Sequence, residues 1–302
     1  MSTPVSSVDL NDTITIGERS YRRFGYGAMR LTGPGRWGPP EDHEGALRVL
    51  RRAVELGVEF IDTADSYGPY VNEQIIREAL HPYPESLLVA TKAGLVRTGP
   101  LQWFPVGRPK YLRQECEMSL IRLGLDHLDL FQLHRIDPEV PQEEQFGLLR
   151  DLRDEGKVRH VGLSNVTVSE IEAARRIVPI TSVQNRYNVI ERKDDDVVDY
   201  CTRHGIVFIP WFPMGAGRIA AGDPAAADAT PGPVERVAGQ LGVTASQVCL
   251  AWLLHRSPAV LPIPGTSSVA HLEENVAAAT ISLDAGQLAL LDAVGINDLM
   301  DS

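Results

Sequence analysis

The chain has 302 residues, 43% hydrophobic and 23% charged, a balance that fits a folded globular protein and excludes a disordered or fibrous one. With 29 Lys and Arg against 40 Asp and Glu the net charge is -11. That argues against nucleic acid or an anionic membrane as partner, because phosphate binding needs clustered cations. Three scattered cysteines, Cys116, Cys201 and Cys249, fit neither a disulfide framework nor a metal spacing. The start M-S-T-P-V-S-S-V-D-L-N-D has no cationic stretch followed by an apolar run, and no window approaches a membrane span. A cytoplasmic protein without a metal site is expected.

In chain order, T-I-T-I-G-E-R-S-Y-R-R-F has a Gly-containing turn between two alternating runs and predicts a small hairpin that could plug a barrel bottom. Short β-branched runs then predict strands at 23–29, 58–62, 87–92, 128–134, 158–164, 180–184, 206–210 and 259–263. Helical periods fill the gaps at Glu44–Leu56, Glu73–Leu80, Tyr111–Leu123, Glu143–Glu155, Ser169–Arg176 and Asp195–His204. Thr167 before Glu170, Thr244 before Gln247 and Asp284 before Gln287 are capping-box starts. Eight buried-type strands separated by helices predict parallel βαβ units. The expected fold is a single α/β domain over 1–302, a (β/α)8 TIM barrel with an N-terminal hairpin and extra C-terminal helices. An open doubly wound sheet is the alternative. The stretch 221–233, rich in Ala, Gly and Pro, reads as a solvated loop or as a flap over a ligand.

Polar residues recur where the strands end. Asp62 ends the second strand, with Tyr67 in the loop after it; Lys92 ends the third and His134 the fourth. Ser164 and Asn165 end the fifth, and Gln184 the sixth. Each alone has an ordinary structural explanation. Three apolar strands running into a charge at the same end are costly unless the charges meet. If they meet, Lys92 stabilises a Tyr67 phenolate and lowers that pKa from its usual value of about 10. Asp62 holds Lys92, and His134 hydrogen-bonds a carbonyl oxygen. An acidic Tyr beside an orienting His suits hydride addition to a carbonyl, which needs a cofactor.

The sequence here resembles the aldo-keto reductase superfamily. F-I-D-T-A-D-S-Y-G (60–68), V-A-T-K-A-G (89–94), D-L-F-Q-L-H (129–134), G-L-S-N-V (162–166) and I-P-G-T-S-S-V-A-H-L-E-E-N (263–275) occur in family order and cover nearly the whole chain. The resemblance implies an NADPH-dependent reductase of aldehydes or ketones, reversible as an alcohol dehydrogenase, acting on a small-molecule carbonyl. Asp62, Tyr67, Lys92 and His134 would be its tetrad, with Tyr67 as general acid.

It further implies that Ser164, Asn165 and Gln184 bind the nicotinamide carboxamide and that Trp211 stacks on the ring. Ala28, Met29, Phe212 and Met214 would also touch the cofactor. The loop with Gly215 and Gly217 would approach the pyrophosphate. Gly265, Thr266, Ser267 and Ser268, at a helix start, would hold phosphate, and Glu274 and Asn275 would face the adenine. Many members carry Lys where Gly265 stands and Arg where His271 stands. His271 is then the only side-chain cation expected at the 2′-phosphate, so NADH is expected as a weaker alternative to NADPH.

Met29, Tyr67, Trp103 and Phe104 would line the substrate pocket, which points to an apolar or aromatic carbonyl. A non-catalytic nicotinamide-binding regulator is a rival reading. A metal-dependent barrel hydrolase using Asp62 and His134 is another, but it leaves Lys92, Gln184 and 263–275 unexplained. A monomer or weak homo-oligomer is expected.

Overall fold

The computed structural model describes residues 12–214 and 232–294. Its centre is a parallel sheet of β3 (Tyr26–Gly27), β4 (Phe60–Asp62), β5 (Leu88–Ala93), β8 (Leu128–Leu133), β9 (Val158–Ser164), β10 (Ser182–Gln184) and β11 (Val207–Phe208), neighbouring in that order. These strands are buried on both faces, which is why they read as continuous apolar runs. Between them run α1 (His43–Glu55), α2 (Val71–Leu80), α3 (Pro109–Leu123), α4 (Gln142–Asp154), α5 (Val168–Arg175) and α6 (Asp195–His204).

The eighth expected strand, 259–263, closes the ring without becoming a regular strand. It bridges Phe208 to Val260, with Phe208 N donating to Ala259 O at 2.8 Å and Leu261 N to Phe208 O at 2.8 Å. On its other edge Gly25 N donates to Pro262 O at 2.9 Å and Gly27 N to Pro264 O at 3.2 Å. Pro262 and Pro264 have no N–H to return, so the ladder on that edge is one-sided. The result is a (β/α)8 barrel, and the open-sheet alternative falls away.

The first expected strand, 23–29, is also shorter than its apolar run. Only Tyr26–Gly27 pair, and a single 3-10 turn, Ala28–Arg30, follows. Gly27 is required by close approach, since a Cβ there would lie 2.7 Å from Ile263 O.

The predicted hairpin forms as β1 (Thr13–Ile16) and β2 (Arg19–Arg22), antiparallel. Its Ile14, Ile16 and Tyr21 pack with Phe60, Leu88, Leu130, Ile209 and Leu261 in a core separate from the strand–helix core. The hairpin therefore plugs the barrel end away from the strand C-termini. Truncating Phe60, fully buried there, to Ala would cost about 3–5 kcal/mol. All three expected capping boxes form, at Thr167, Thr244 and Asp284. They start α5 and the helices Ala245–Arg256 and Ala285–Asp292. Among the described residues no single helix is long and apolar enough to cross a membrane. Of the 221–233 stretch, only Gly232 and Pro233 lie within the described residues.

Candidate active site

The strand C-termini open into a cleft of about 620 Å³, where barrel loops ordinarily carry function. The four residues singled out by chemistry meet there. Lys92 Nζ, wholly buried, donates to Asp62 Oδ2 at 2.6 Å, to Thr63 O at 2.8 Å and to the Tyr67 hydroxyl at 3.4 Å. Asp62 Oδ1 accepts from Gln184 Nε2 at 2.9 Å and from Gln132 Nε2 at 3.2 Å. Both oxygens of the buried carboxylate are thus occupied, as a buried charge requires. The Tyr67 and His134 rings stand edge to face, centroids 5.8 Å apart, and both line the cleft. Ser66 Oγ lies 3.4 Å from His134 Nδ1; with Ser66 donating, the remaining N–H is on Nε2.

The electrostatics revise one expectation. Tyr67 was expected to be a phenol of lowered pKa, but its pKa is raised. Burial pushes it up, Lys92 pulls it down, and Asp62 and Asp65 push it up again. Desolvation of the phenolate outweighs the single nearby cation, so Tyr67 keeps its proton. Lys92 itself is driven down by burial but pulled up by Asp62 and Tyr67, with a net rise. His134 is held well below the usual imidazole value by burial and by the charges of Lys92 and Arg135. The site therefore presents a neutral phenol with a cation behind it, beside a neutral imidazole. That set can donate two hydrogen bonds to one developing oxyanion.

The donor set next to this group fits a carboxamide. Asn165 is fully engaged: its Nδ2 donates to Ser164 Oγ at 2.8 Å and to His134 O at 3.3 Å, and its Oδ1 accepts from Trp211 Nε1 at 3.1 Å. Ser164 keeps its hydroxyl proton to give, and Gln184 Oε1, with only the Nε2 side used by Asp62, is open to accept. A primary amide, with one carbonyl and one NH2, matches that pair. Trp211 lines the cleft, held in place by Asn165, so its indole could stack on a flat ring. Asn165 is in the left-handed region at φ 59, a conformation the short amide tolerates.

Further along, Met29, Phe212, Met214 and Gly265 line the same cleft. Ala28, Thr266, Ser267, Ser268, His271, Glu274 and Asn275 do not line it. Ala28 is fully buried, its carbonyl accepting from Asn72. Ser268 caps the helix Val269–Ala277 through the His271 amide, and Thr266 Oγ1 accepts from Ser268 N at 3.1 Å. Glu274 Oε1 accepts from Thr244 at 2.6 Å, and Asn275 is buried. Gly215 and Gly217 lie outside the described residues. Arg30, not singled out from the sequence, places a permanent cation near this segment: it lines the cleft, and its Cγ is 3.9 Å from where a Cβ on Gly265 would sit.

On the other wall, the loop after the third barrel strand is an antiparallel hairpin, β6 (Leu95–Gly99) and β7 (Gln102–Pro105). Strand alternation sends successive side chains to opposite faces. Trp103 lines the cleft, its ring edge-on to Tyr67 at 6.3 Å. Phe104, expected beside it, is 50% exposed and does not line the cleft. Gly27, Arg30, Gly35, Arg36, Leu95, Leu101, Arg135, Pro213 and Ile263 line the cleft without having been singled out. Gln132, another omission, had a signal: it is two residues before His134 and therefore shares its strand face.

Residues 23–296 match the family described as the Aldo/keto reductase family. An uncharacterized oxidoreductase of Schizosaccharomyces pombe is 50% identical over 293 residues, covering 96% of this chain and 92% of that protein. Pyridoxine 4-dehydrogenase of Escherichia coli is 44% identical over 290 residues, covering 94% and 98% respectively. Among solved structures, the glycerol dehydrogenase of Gluconobacter oxydans superposes with TM-score 0.85 at 25% identity, covering 96% of this chain and 97% of that one. An aldo/keto reductase of Klebsiella pneumoniae in complex with NADP and acetate gives TM-score 0.77 at 26% identity, covering 94% and 95%.

Proposed function

Since the chain belongs to the aldo/keto reductase family, we propose that it reduces an aldehyde or ketone to the alcohol with NADPH, and that Tyr67, Lys92, Asp62 and His134 carry the chemistry. One observation supports this above the rest: a protonated phenol, backed by a buried ammonium at 3.4 Å, faces a cleft beside a neutral imidazole.

Ser164 and Gln184 would hold the nicotinamide carboxamide, Trp211 would cover the ring, and bound NADPH would supply the hydride. The NADP complex of the Klebsiella pneumoniae relative supports this choice of cofactor. His134 orients the substrate carbonyl through one N–H. Tyr67 gives its proton to the carbonyl oxygen as negative charge builds there, which completes the alcohol. The phenolate left behind is stabilised by Lys92, which Asp62 keeps charged and fixed, until solvent returns a proton. With cofactor bound, the same path runs backward for an alcohol, by microscopic reversibility. The 44% identity to pyridoxine 4-dehydrogenase puts pyridoxine with NADP+, and its 4-aldehyde with NADPH, first among substrates to try.

The test follows NADPH oxidation across a panel of aldehydes and ketones. Tyr67→Phe should lower kcat by about 10²–10⁴-fold while NADPH affinity, read by fluorescence titration, stays within a factor of about two. Undiminished turnover in that variant overturns the role given to Tyr67.

A further inference from the structure

The cleft is lined by Arg30, Arg36 and Arg135, yet among the described residues the one carboxylate lining it is Asp62, whose oxygens are taken by Lys92, Gln132 and Gln184. Among the described residues no ion pair or side-chain hydrogen bond engages any of the three arginines. In a chain of net charge -11, three cations without a partner among the described residues, gathered in one concavity, are not a by-product of composition.

Arg36 differs from the other two in how it is held. Its backbone is in the left-handed region at φ 59, which costs a non-glycine residue free energy and persists only where surroundings impose it. Here they do. Arg36 N donates to Gly33 O at 3.0 Å, and Arg36 O accepts from Gly68 N at 3.3 Å and from Arg97 Nη1 at 2.8 Å. Gly68 follows Tyr67 directly, so this loop is tied to the loop that carries the phenol. Arg30 stands beside Gly265, on the side of the cleft read as facing cofactor phosphate, and is also close enough to act on the Arg36 charge. Burial and the neighbouring Arg30 hold the Arg36 guanidinium below its ordinary pKa. A half-buried cation beside a like charge is relieved by an anion.

We propose that Arg36 forms an anion subsite on the Tyr67 side of the cleft, and that the carbonyl substrate carries an anionic oxygen group, such as a carboxylate, within reach of it. This rests on the reductase reading of the same site. A guanidinium binds a carboxylate through two parallel N–H donors, which would also fix the distance between the charged group and the carbonyl.

The test compares pairs that are alike in carbon skeleton and differ in charge: 4-carboxybenzaldehyde against methyl 4-formylbenzoate, and succinic semialdehyde against butanal. The wild-type enzyme should prefer the charged partner by about ten- to a hundredfold in kcat/KM, with the preference shrinking as salt is raised. Arg36→Met should bring that ratio close to one, and Arg36→Lys should keep part of it. An unchanged ratio in Arg36→Met, or a ratio near one in wild type, overturns the subsite. So does an Arg36→Met variant that loses NADPH affinity instead of the ratio, because Arg36 would then serve the cofactor. If no carbonyl oxidises NADPH, the reductase reading fails, and calorimetric titration of the NADP+ complex with terephthalate against terephthalamide still decides. Binding of the dianion that Arg36→Met abolishes supports the subsite; dianion and diamide binding alike overturns it.

Discussion

The Arg97 guanidinium stacks over the Trp103 ring, 3.6 Å from its centre. Its N–H groups meanwhile reach five carbonyls: Gln102 and Gly99 in its own hairpin, Gly35 and Arg36 in the loop after β3, and Ser66 beside Tyr67. One side chain thus fastens together three segments that line the substrate wall. Arg97→Ala should raise KM for the carbonyl and lower kcat/KM by roughly tenfold or more, because small misplacements of reacting groups carry large rate costs. NADPH affinity should stay near wild type, and tryptophan fluorescence should shift to the red as Trp103 loosens. Arg97→Lys should rescue little, since an ammonium cannot span five acceptors in a plane. Full rescue by lysine would mean that only charge matters at this position.

The buried Lys92–Asp62 pair separates stability from chemistry. Removing one partner strands a charge in the barrel, a loss of about 3–5 kcal/mol. Asp62→Asn should therefore lower the denaturant midpoint and the turnover together. Adding Lys92→Met to it should recover much of the stability and none of the turnover, because the phenolate would have no cation. A double variant no more stable than Asp62→Asn would show that the pair is not coupled as its 2.6 Å contact implies.

Much of this site was legible in the sequence because a parallel barrel puts its functional groups where apolar strands end. Asp62, Lys92, His134, Ser164 and Gln184 each follow such a run, so a one-dimensional pattern stood in for a ring of side chains. The capping boxes at Thr167, Thr244 and Asp284 were equally local signals. What escaped depends on distance or burial. Arg97 binds loops 31 to 62 residues away, and nothing near it in sequence announces that. Trp103 and Phe104 were separated by the alternation of a strand that the Gly/Pro-rich stretch did not suggest. The sign of the Tyr67 shift was missed because Lys92 is visible in sequence and desolvation is not. The shortened eighth strand did carry a signal, in Pro262 and Pro264.

The pH profile follows from the raised Tyr67 and the lowered His134. Reduction should lose no rate through imidazole charging near pH 6.5, and should fall on the alkaline side only above about 10, where an ordinary phenol ionises. Stability carries the opposite sign for His134. Its folded pKa is depressed, so its contribution is present above about 6.5 and is lost as pH falls below that value. His134→Gln should remove this acid-side loss while lowering kcat. A kcat/KM profile with an acid limb at 6–7 that vanishes in His134→Gln would contradict the neutral imidazole.

Asp65 offers a test of the scaffold behind the tetrad. It is 1% exposed, its carboxyl has no side-chain hydrogen-bond partner among the described residues, and its pKa lies well above the usual carboxylate range. Burial is the main cause, and the carboxylates of Glu73 and Glu115 add to it against the pull of Arg122. A carboxyl whose folded pKa is raised stabilises the fold fully below about pH 4, its unfolded value. That stability is lost as pH climbs through the folded value. Asparagine is nearly isosteric and cannot ionise. Asp65→Asn should therefore match wild type in thermal midpoint near pH 4 and exceed it increasingly as pH rises to 8. A variant less stable than wild type at pH 8 would mean that the Asp65 charge, rather than its absence, is what the loop beside Tyr67 requires.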